Sequence, residues 1–150
     1  MEVDKIEIVD LETHETKDTK DGHINGALTV IWRDWDKIIP KEPKMIYITS
    51  ALPGEIKGPH LHKKRNSYFL CIKGKVIFVI KEKNGEYREI ETDENIPKLI
   101  QVPVNFSSAH INIGKEEAKI LTIADIAWRP NDDEMENVVF EDYDWKKWID

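Results

Sequence analysis

Apolar residues recur along the chain in short segments that are rich in Ile, Val, Tyr and Phe, and none of these segments continues into a helical period. Such segments are typical of β-strands, which favour β-branched and aromatic side chains. The segments are IEIV (6–9), ALTVIW (27–32), MIYIT (45–49), SYFLCI (67–72), KVIFVI (75–80), EYREIE (86–91), LIQV (99–102), HINI (110–113) and AKILTIADI (118–126). Polar stretches and turn residues separate them, which predicts an all-β barrel or sandwich.

The stretches between and after these segments add three local predictions. Asn84-Gly85 lies between two predicted strands and indicates a tight hairpin turn in which both residues have a positive φ. Residues 10–24 are polar and are expected to form a loop. Near the end of the chain, Trp145 and Trp148 stand three residues apart among charged residues, which is the spacing of one helical face. We therefore expect a short C-terminal helix that packs on the barrel.

Length and charge limit what the protein can be. The chain has 150 residues, 40 % of them hydrophobic, so residues 1–150 are expected to form a single domain with one core. A net charge of −7 argues against a nucleic-acid-binding surface, which needs a clustered positive field. No apolar stretch approaches the length of a membrane span, and the N-terminal segment has no basic stretch followed by an apolar run. We therefore expect a cytoplasmic protein without a nucleic-acid or membrane partner.

The strongest chemical signal is the pair His60 and His62. Residues two apart in a β-strand point to the same face, so the two imidazoles are expected to share one wall of a pocket. An imidazole titrates near neutral pH and can remove a proton from a carbon next to a ketone. The only dense basic patch of an acidic chain surrounds the pair, and its charges suit a diphosphate. Its members are Lys57, Lys63, Lys64 and Arg65.

The segment GEIKGPHLHKKRNSYFLCIKG resembles the first motif of the cupin superfamily, and QVPVNFSSAHINIG resembles the second. The resemblance implies a cupin jelly-roll β-barrel. Where metal-binding cupins carry a glutamate after the second histidine, this chain has Asn66 and Ser67, so we expect no metal and no other cofactor. A small metal-dependent cupin enzyme that uses His60, His62 and His110 is kept as an alternative.

KGPHLHKKRNSYFLCIKGKVIFVI is similar to the sugar-nucleotide branch of the cupins, which includes the dTDP-4-dehydrorhamnose 3,5-epimerases and the dTDP-sugar 3,4-ketoisomerases. The likeness extends over roughly residues 20–148. It implies that His60 abstracts the proton and that His62 is the second histidine of the ketoisomerases, while Lys57 stands where that family has arginine. The LTIAD strand has no tyrosine to match the epimerase acid, which favours a 3,4-ketoisomerase or a single-site epimerase.

Three further residues are expected to contact the substrate. Tyr68 lies six residues after His62, and even spacing in a regular strand would point it to the same interior. Asn105 occupies the glycine position of the second motif, and His110 is its delayed histidine. The predicted ligand is a nucleotide-diphosphate sugar, and the resembled family implies a homodimer. A cupin that binds a sugar or nucleotide without catalysis is kept as the other alternative.

Overall fold

The computed structural model describes residues 4–149, and within this range twelve β-strands form three antiparallel sheets. The strands are β1 (Glu7–Asp10), β2 (Thr13–Lys17), β3 (Ile24–Thr29), β4 (Met45–Ala51), β5 (Ile56–His62), β6 (Ser67–Lys73), β7 (Lys75–Lys81), β8 (Tyr87–Asp93), β9 (Lys98–Val102), β10 (Ser107–Asn112), β11 (Ala118–Ala124) and β12 (Met135–Asn137). Sheet A has the order β1-β9-β6-β11-β4, sheet B has the order β12-β5-β10-β7-β8, and β2 pairs with β3 alone. The all-β prediction is confirmed. In the same range no helix is long and apolar enough to cross a membrane.

The main core lies between sheets A and B. Phe78 and Ile80 of β7 meet Ile100 of β9 and Ile120 of β11, and all four are buried. Each of the nine predicted segments overlaps a strand. Alternate residues of these segments pack into this core or into the apolar clusters on the outer faces of the sheets, which is why their apolar pattern predicted strands. Phe69 of β6 packs against the core and also lines a cavity at one end of the space between the sheets.

The prediction of a loop over residues 10–24 is wrong, because Thr13–Lys17 form β2 and Ile24 begins β3. The side chains of this hairpin are mostly exposed on both faces, so its sequence shows no alternation of apolar and polar residues. Backbone pairing holds it together instead, and Thr13 and Thr29 add a cross-strand hydrogen bond of 2.7 Å between their hydroxyls.

The hairpin at Asn84-Gly85 is present, but its turn differs from the predicted one. Only Gly85 has a positive φ, of 88°, and the loop has five residues because Lys81 pairs with Tyr87. Glu82 N–H donates to Glu86 C=O at 2.7 Å, and Gly85 N–H donates to Glu82 C=O at 2.9 Å. This is the longer hairpin connection in which a single left-handed glycine forms a bulge after the turn.

The expected C-terminal helix is only a single 3₁₀ turn, Trp145–Trp148. Asp144 caps it by accepting a hydrogen bond from Lys146 N–H at 3.0 Å. Aromatic packing holds the segment: the Trp145 ring stacks on Phe140 with centroids 6.4 Å apart, and Trp148 Nε1–H donates to the Tyr143 hydroxyl at 2.6 Å. The three-residue spacing of the tryptophans therefore reflects one tight turn on the outer face of sheet B rather than a helix.

Candidate functional site

A cavity of about 630 Å³ opens between the two sheets at the end that carries the paired histidines. Side chains from β4, β5, β6, β7, β10 and β11 form its walls, and the loop that precedes β12 forms part of its rim. Of the residues predicted from the sequence, those in the lining are Lys57, His60, His62, Arg65 and His110. Those that the structure places outside the lining are Lys63, Lys64, Tyr68 and Asn105.

Strand β5 positions both histidines. It pairs with β10, where His60 lies opposite Ser108, and with β12, where His62 lies opposite Met135. Gly58 allows β5 to approach β10 this closely, because it has a φ of 89° and a Cβ at this position would lie 2.9 Å from the Ser108 carbonyl oxygen. The strand geometry turns the two imidazoles toward the same wall of the cavity.

Each histidine is held through Nδ1. His60 Nδ1 is 3.0 Å from Asn137 Oδ1, and His62 Nδ1 is 2.7 Å from Glu134 Oε1. An amide oxygen and a carboxylate oxygen can only accept, so in both rings Nδ1 carries the proton and donates. When the rings are neutral, Nε2 of each one is left with a free lone pair, which is the form that a general base requires.

The environment of His62 keeps its imidazole neutral at neutral pH. Burial lowers the pKa of His62 first, and the positive charge of Arg65 lowers it further. The hydrogen bond and the charge of Glu134 act in the opposite direction and raise this pKa, but the net shift is downward. His62 is therefore available to accept a proton.

His110 lies on β10, deeper in the same cavity. It is 8 % exposed, its ring centroid is 5.3 Å from that of Phe78, and its Nε2 has no hydrogen-bond partner within residues 4–149. Burial, followed by the charges of Lys57 and His60, lowers the pKa of His110 to about 4. The side chain is therefore a neutral polar group that a ligand can satisfy.

This buried histidine predicts a pH-dependent stability. In the unfolded chain His110 binds a proton below about pH 6.5, whereas in the folded chain it does so only near pH 4. The free energy of unfolding should therefore fall as the pH drops from 6.5 to 4. The full effect of such a pKa difference is about 3 kcal/mol. Urea unfolding of the wild type and of His110→Gln between pH 7 and pH 4 measures it. A wild-type pH slope no steeper than that of the variant would contradict the assignment.

Arg65 is the buried cation of the cavity. It is 7 % exposed; its Nε donates to Ser67 Oγ at 2.9 Å and its Nη2 donates to the Tyr47 hydroxyl at 2.6 Å. Both partners are neutral, and within residues 4–149 no carboxylate lies within 4.0 Å of the guanidinium. A buried charge without a counter-ion is costly, so the site favours an anionic ligand.

The other basic residues of the patch lie elsewhere. Lys63 and Lys64 are exposed, and Lys63 Nζ forms an ion pair with Glu136 at 3.0 Å. Asn105 has a positive φ of 66°, as the second motif implied, and its backbone N–H donates to the His62 carbonyl at 2.7 Å. Asn105 therefore contacts the site through the backbone of the strand that carries the histidines.

Tyr68 points away from the cavity. It is 1 % exposed and packs with Leu70, Leu99 and Ile123 on the outer face of sheet A. The even spacing from His62 does not apply, because β5 ends at His62 and β6 begins at Ser67. The connecting loop changes the alternation, and Phe69 lines the cavity instead.

Asn66, at the position of the cupin glutamate, belongs to a buried structural network. Its backbone N–H and its Nδ2 donate to the two carboxylate oxygens of Asp125 at 2.9 and 2.7 Å, and its Oδ1 accepts from Val104 N–H at 3.0 Å. These contacts connect the loop before β6 to the end of β11 and to the turn before β10. The side chain is committed to this network and offers no ligand to the cavity.

Within residues 4–149, the one group of three His, Cys, Asp or Glu ligand atoms that lie within 4.8 Å of one another is Asp18, Asp21 and His23, between β2 and β3. The three cavity histidines do not form such a group. The Nδ1 contacts of His60 and His62 leave both Nε2 atoms free, which is also the arrangement of a metal-ligating histidine, so elemental analysis of the purified protein is the test of the metal-dependent alternative.

Sequence reasoning missed Glu134 and Asn137, which hold the two histidines. Glu134 and Asn137 lie in the acidic segment NDDEMEN, whose polar character gives no sign of β12. The pairing of Asn137 with His60 and of Met135 with His62 places these side chains beside the imidazoles. The Tyr47 hydroxyl accepts from Arg65 and keeps its own proton to donate to a ligand.

Residues 5–144 match the protein family described as FdtA: WxcM-like, C-terminal. The chain belongs to this family. No curated protein matches the sequence. Among solved structures, the dTDP sugar isomerase from Desulfovibrio desulfuricans G20 is 16 % identical, with a TM-score of 0.78 over 95 % of this chain and 92 % of that one. The sugar 3,4-ketoisomerase QdtA from Thermoanaerobacterium thermosaccharolyticum, in complex with TDP, is 17 % identical, with a TM-score of 0.67 over 87 % of this chain and 86 % of that one.

A third similar structure is the capsular polysaccharide assembling protein CapF from Staphylococcus aureus. It is 22 % identical with a TM-score of 0.59, and the match covers 64 % of this chain but only 29 % of CapF. The chain therefore spans under a third of the length of that protein. At these identities the likeness establishes the fold, which is the cupin fold of the dTDP-sugar epimerases and isomerases, and the resemblance predicted from the sequence is confirmed.

Proposed function

We propose that the protein is an isomerase or epimerase that acts on a nucleotide-linked, dTDP-type 4-keto-6-deoxy sugar in deoxysugar or polysaccharide biosynthesis. One observation carries this proposal: two imidazoles, each oriented through Nδ1, line the same cavity as a buried and uncompensated guanidinium. Proton transfer next to a ketone needs the first feature, and a diphosphate-linked substrate suits the second. The solved structures of similar fold include dTDP-sugar isomerases and epimerases, which supports the proposal.

The reaction begins when Nε2 of one imidazole takes the proton from the carbon next to the ketone. The electron pair of the broken C–H bond remains on the substrate as an enolate, whose charge lies mainly on oxygen. Return of a proton to the same carbon from the opposite face of the sugar gives the epimer. Return of a proton to the former carbonyl carbon gives the isomer, because the hydroxyl on the first carbon passes its proton to the enolate oxygen and becomes the new ketone. The neutral side chains of His110 and Tyr47 can hydrogen-bond the sugar oxygens during these steps.

Arg65 and Lys57 supply the positive charges that face the cavity. A diphosphate brings two negative charges that stay in place throughout the reaction, so it can neutralise a guanidinium in every state of the bound complex. Trp128, which is exposed at the rim, offers a flat surface for the nucleobase. The substrate would then lie with its sugar toward the histidines and its base toward the rim.

The activity is tested by incubating the purified protein with a dTDP-linked 4-keto-6-deoxy sugar and following the sugar by proton NMR. The expected result is a new keto-sugar signal set that grows with protein concentration, from movement of the ketone or inversion of a carbon next to it. The same reaction without protein is the control. An unchanged spectrum, with TDP still raising the melting temperature, would exclude the enzyme and leave binding as the function.

A nucleotide-sugar-binding role without catalysis is the second candidate. Thr122 supports this binding role. It is the residue of β11 that lines the cavity, and the resembled epimerases carry their acidic tyrosine in this strand. Threonine therefore stands where those enzymes have an acid. This role predicts that TDP stabilises the protein while no keto-sugar changes.

We also propose that the protein is a homodimer. The β2–β3 hairpin leaves Ile24 and Leu28 exposed, and an isolated two-stranded hairpin is at best marginally stable in water. A second copy that covers this hairpin would bury both side chains. Light scattering on the purified protein should give twice the 17.5 kDa of one chain, and a mass of one chain would contradict the proposal.

A further inference from the structure

The two cavity histidines differ in the group that holds them. His62 donates to a carboxylate, Glu134 Oε1 at 2.7 Å, whereas His60 donates to a neutral amide, Asn137 Oδ1 at 3.0 Å. The two contacts are otherwise alike, since both engage Nδ1 and both come from the segment around β12. The two imidazoles therefore differ in the charge of the group that accepts from Nδ1, which is a carboxylate for His62 and a neutral amide for His60.

Glu134 is built into the structure rather than free to move. It is 5 % exposed, and its second carboxylate oxygen accepts from Lys64 N–H at 3.3 Å. Its own N–H donates to Asp132 Oδ1 at 3.2 Å, and its carbonyl accepts from Lys63 N–H at 2.8 Å. Four polar groups of the residue thus have partners, so its carboxylate is held against His62 before any ligand binds.

This contact matters most at the moment of proton transfer. When an imidazole takes a proton at Nε2 it becomes a cation, and a carboxylate on Nδ1 stabilises that cation in a way that an amide cannot. The other charged or titratable groups that face His62 are Arg65, His60 and Asp132. Arg65 and His60 oppose a positive charge on His62, so Glu134 provides the compensation within hydrogen-bond distance.

We propose that Glu134 is a positioning residue that makes His62, rather than His60, the group that takes the substrate proton. This inference rests on the proposed function and refines it, because the resemblance had implied His60 for that role. His60, on the same wall of the cavity, then returns a proton to the former carbonyl carbon, which completes the movement of the ketone. The segment NDDEMEN acquires a role in the reaction through one of its four acidic side chains.

The test compares Glu134→Gln, Glu134→Asp and Glu136→Gln by measuring the rate at which a dTDP-linked 4-keto-6-deoxy sugar takes up deuterium from D₂O. Glu134→Gln keeps the shape and removes the charge, and it should lower kcat about ten- to a hundredfold while KM changes little. Glu134→Asp should recover part of the loss. Glu136→Gln is the matched control, because Glu136 lies two residues away, is exposed outside the cavity lining and pairs its carboxylate with Lys63, so its rate should stay at the wild-type level.

The pH profile separates a positioning role from a purely structural one. The base must be neutral, so kcat rises with pH through the pKa of His62. Glu134 raises this pKa, so Glu134→Gln should move the rising limb to lower pH and also lower the plateau. ¹⁵N NMR of labelled protein without substrate should show the same decrease of the His62 pKa.

These outcomes distinguish the inference from the proposed function. Wild-type protein that exchanges no deuterium would count against the proposed function. Wild-type exchange together with an unchanged rate and pH profile in folded Glu134→Gln would overturn the inference alone. An NMR titration of His62 that is the same in wild type and Glu134→Gln would also overturn it, whatever the activity.

Discussion

Replacing His62 by asparagine is expected to lower the rate of deuterium uptake by a 4-keto-6-deoxy sugar nucleotide by about two to four powers of ten, because the proposed general base is lost. Asparagine preserves a donor near Glu134 but cannot accept a proton from carbon. The affinity for TDP should remain close to that of the wild type, because the guanidinium of Arg65 is untouched. Mass spectrometry of the recovered sugar gives the uptake, and titration calorimetry gives the affinity.

His60→Asn should behave differently. If His62 removes the proton, deuterium uptake next to the ketone continues in His60→Asn, while formation of the isomer falls because His60 no longer returns a proton to the former carbonyl carbon. Circular dichroism confirms that both variants are folded. Loss of uptake in His60→Asn, with retention in His62→Asn, would reverse the two roles and restore the assignment that the sequence resemblance implied.

Replacing Arg65 by methionine is expected to weaken TDP binding about ten- to a hundredfold. A hydrogen bond to a charged group contributes about 1.5–3 kcal/mol, and methionine fills much of the space of arginine without its charge. The affinity for thymidine, which has no phosphate, should be nearly unchanged. Titration calorimetry with TDP, thymidine and inorganic pyrophosphate measures the three cases.

Lys63→Met is the comparison for Arg65→Met. The sequence places both residues in one basic patch, but Lys63 is exposed and paired with Glu136 outside the cavity lining. Its removal should change TDP affinity little, since exposed ion pairs contribute about 0–1 kcal/mol. Arg65→Lys keeps the charge in a smaller group and should recover part of the affinity. Equal affinity in folded Arg65→Met and wild type would contradict the role of Arg65.

The strands and the histidine pair could be predicted because each depends on local periodicity. Alternation within one strand decides which face a residue occupies, so the segments from IEIV to AKILTIADI were recognisable, and so was the common direction of His60 and His62. The same rule failed for Tyr68, because a loop interrupts the alternation between β5 and β6. Periodicity does not extend across a connection whose conformation is unknown.

The partners of the histidines could not be predicted, because they come from residues more than seventy positions away. Strand β12 has three residues, all exposed, so its sequence has no apolar pattern. Its pairing with β5 is a consequence of the whole fold, and only that pairing brings Glu134 and Asn137 to the imidazoles. The basic patch is continuous in the sequence, but the fold buries Arg65 and leaves Lys63 and Lys64 exposed. This difference in burial also depends on the whole fold.

Deuterium uptake catalysed by the wild-type protein tests most directly whether a histidine in this cavity removes a proton from a carbon next to a ketone. The protein is incubated in D₂O with a dTDP-linked 4-keto-6-deoxy sugar, and the recovered sugar is analysed by mass spectrometry and NMR, with His60→Asn/His62→Asn as the control. We predict one deuterium on a carbon adjacent to the ketone with the wild type and only the uncatalysed background with the double variant. Background uptake with the wild type, or equal uptake by the wild type and the folded double variant, would contradict this role of the histidines.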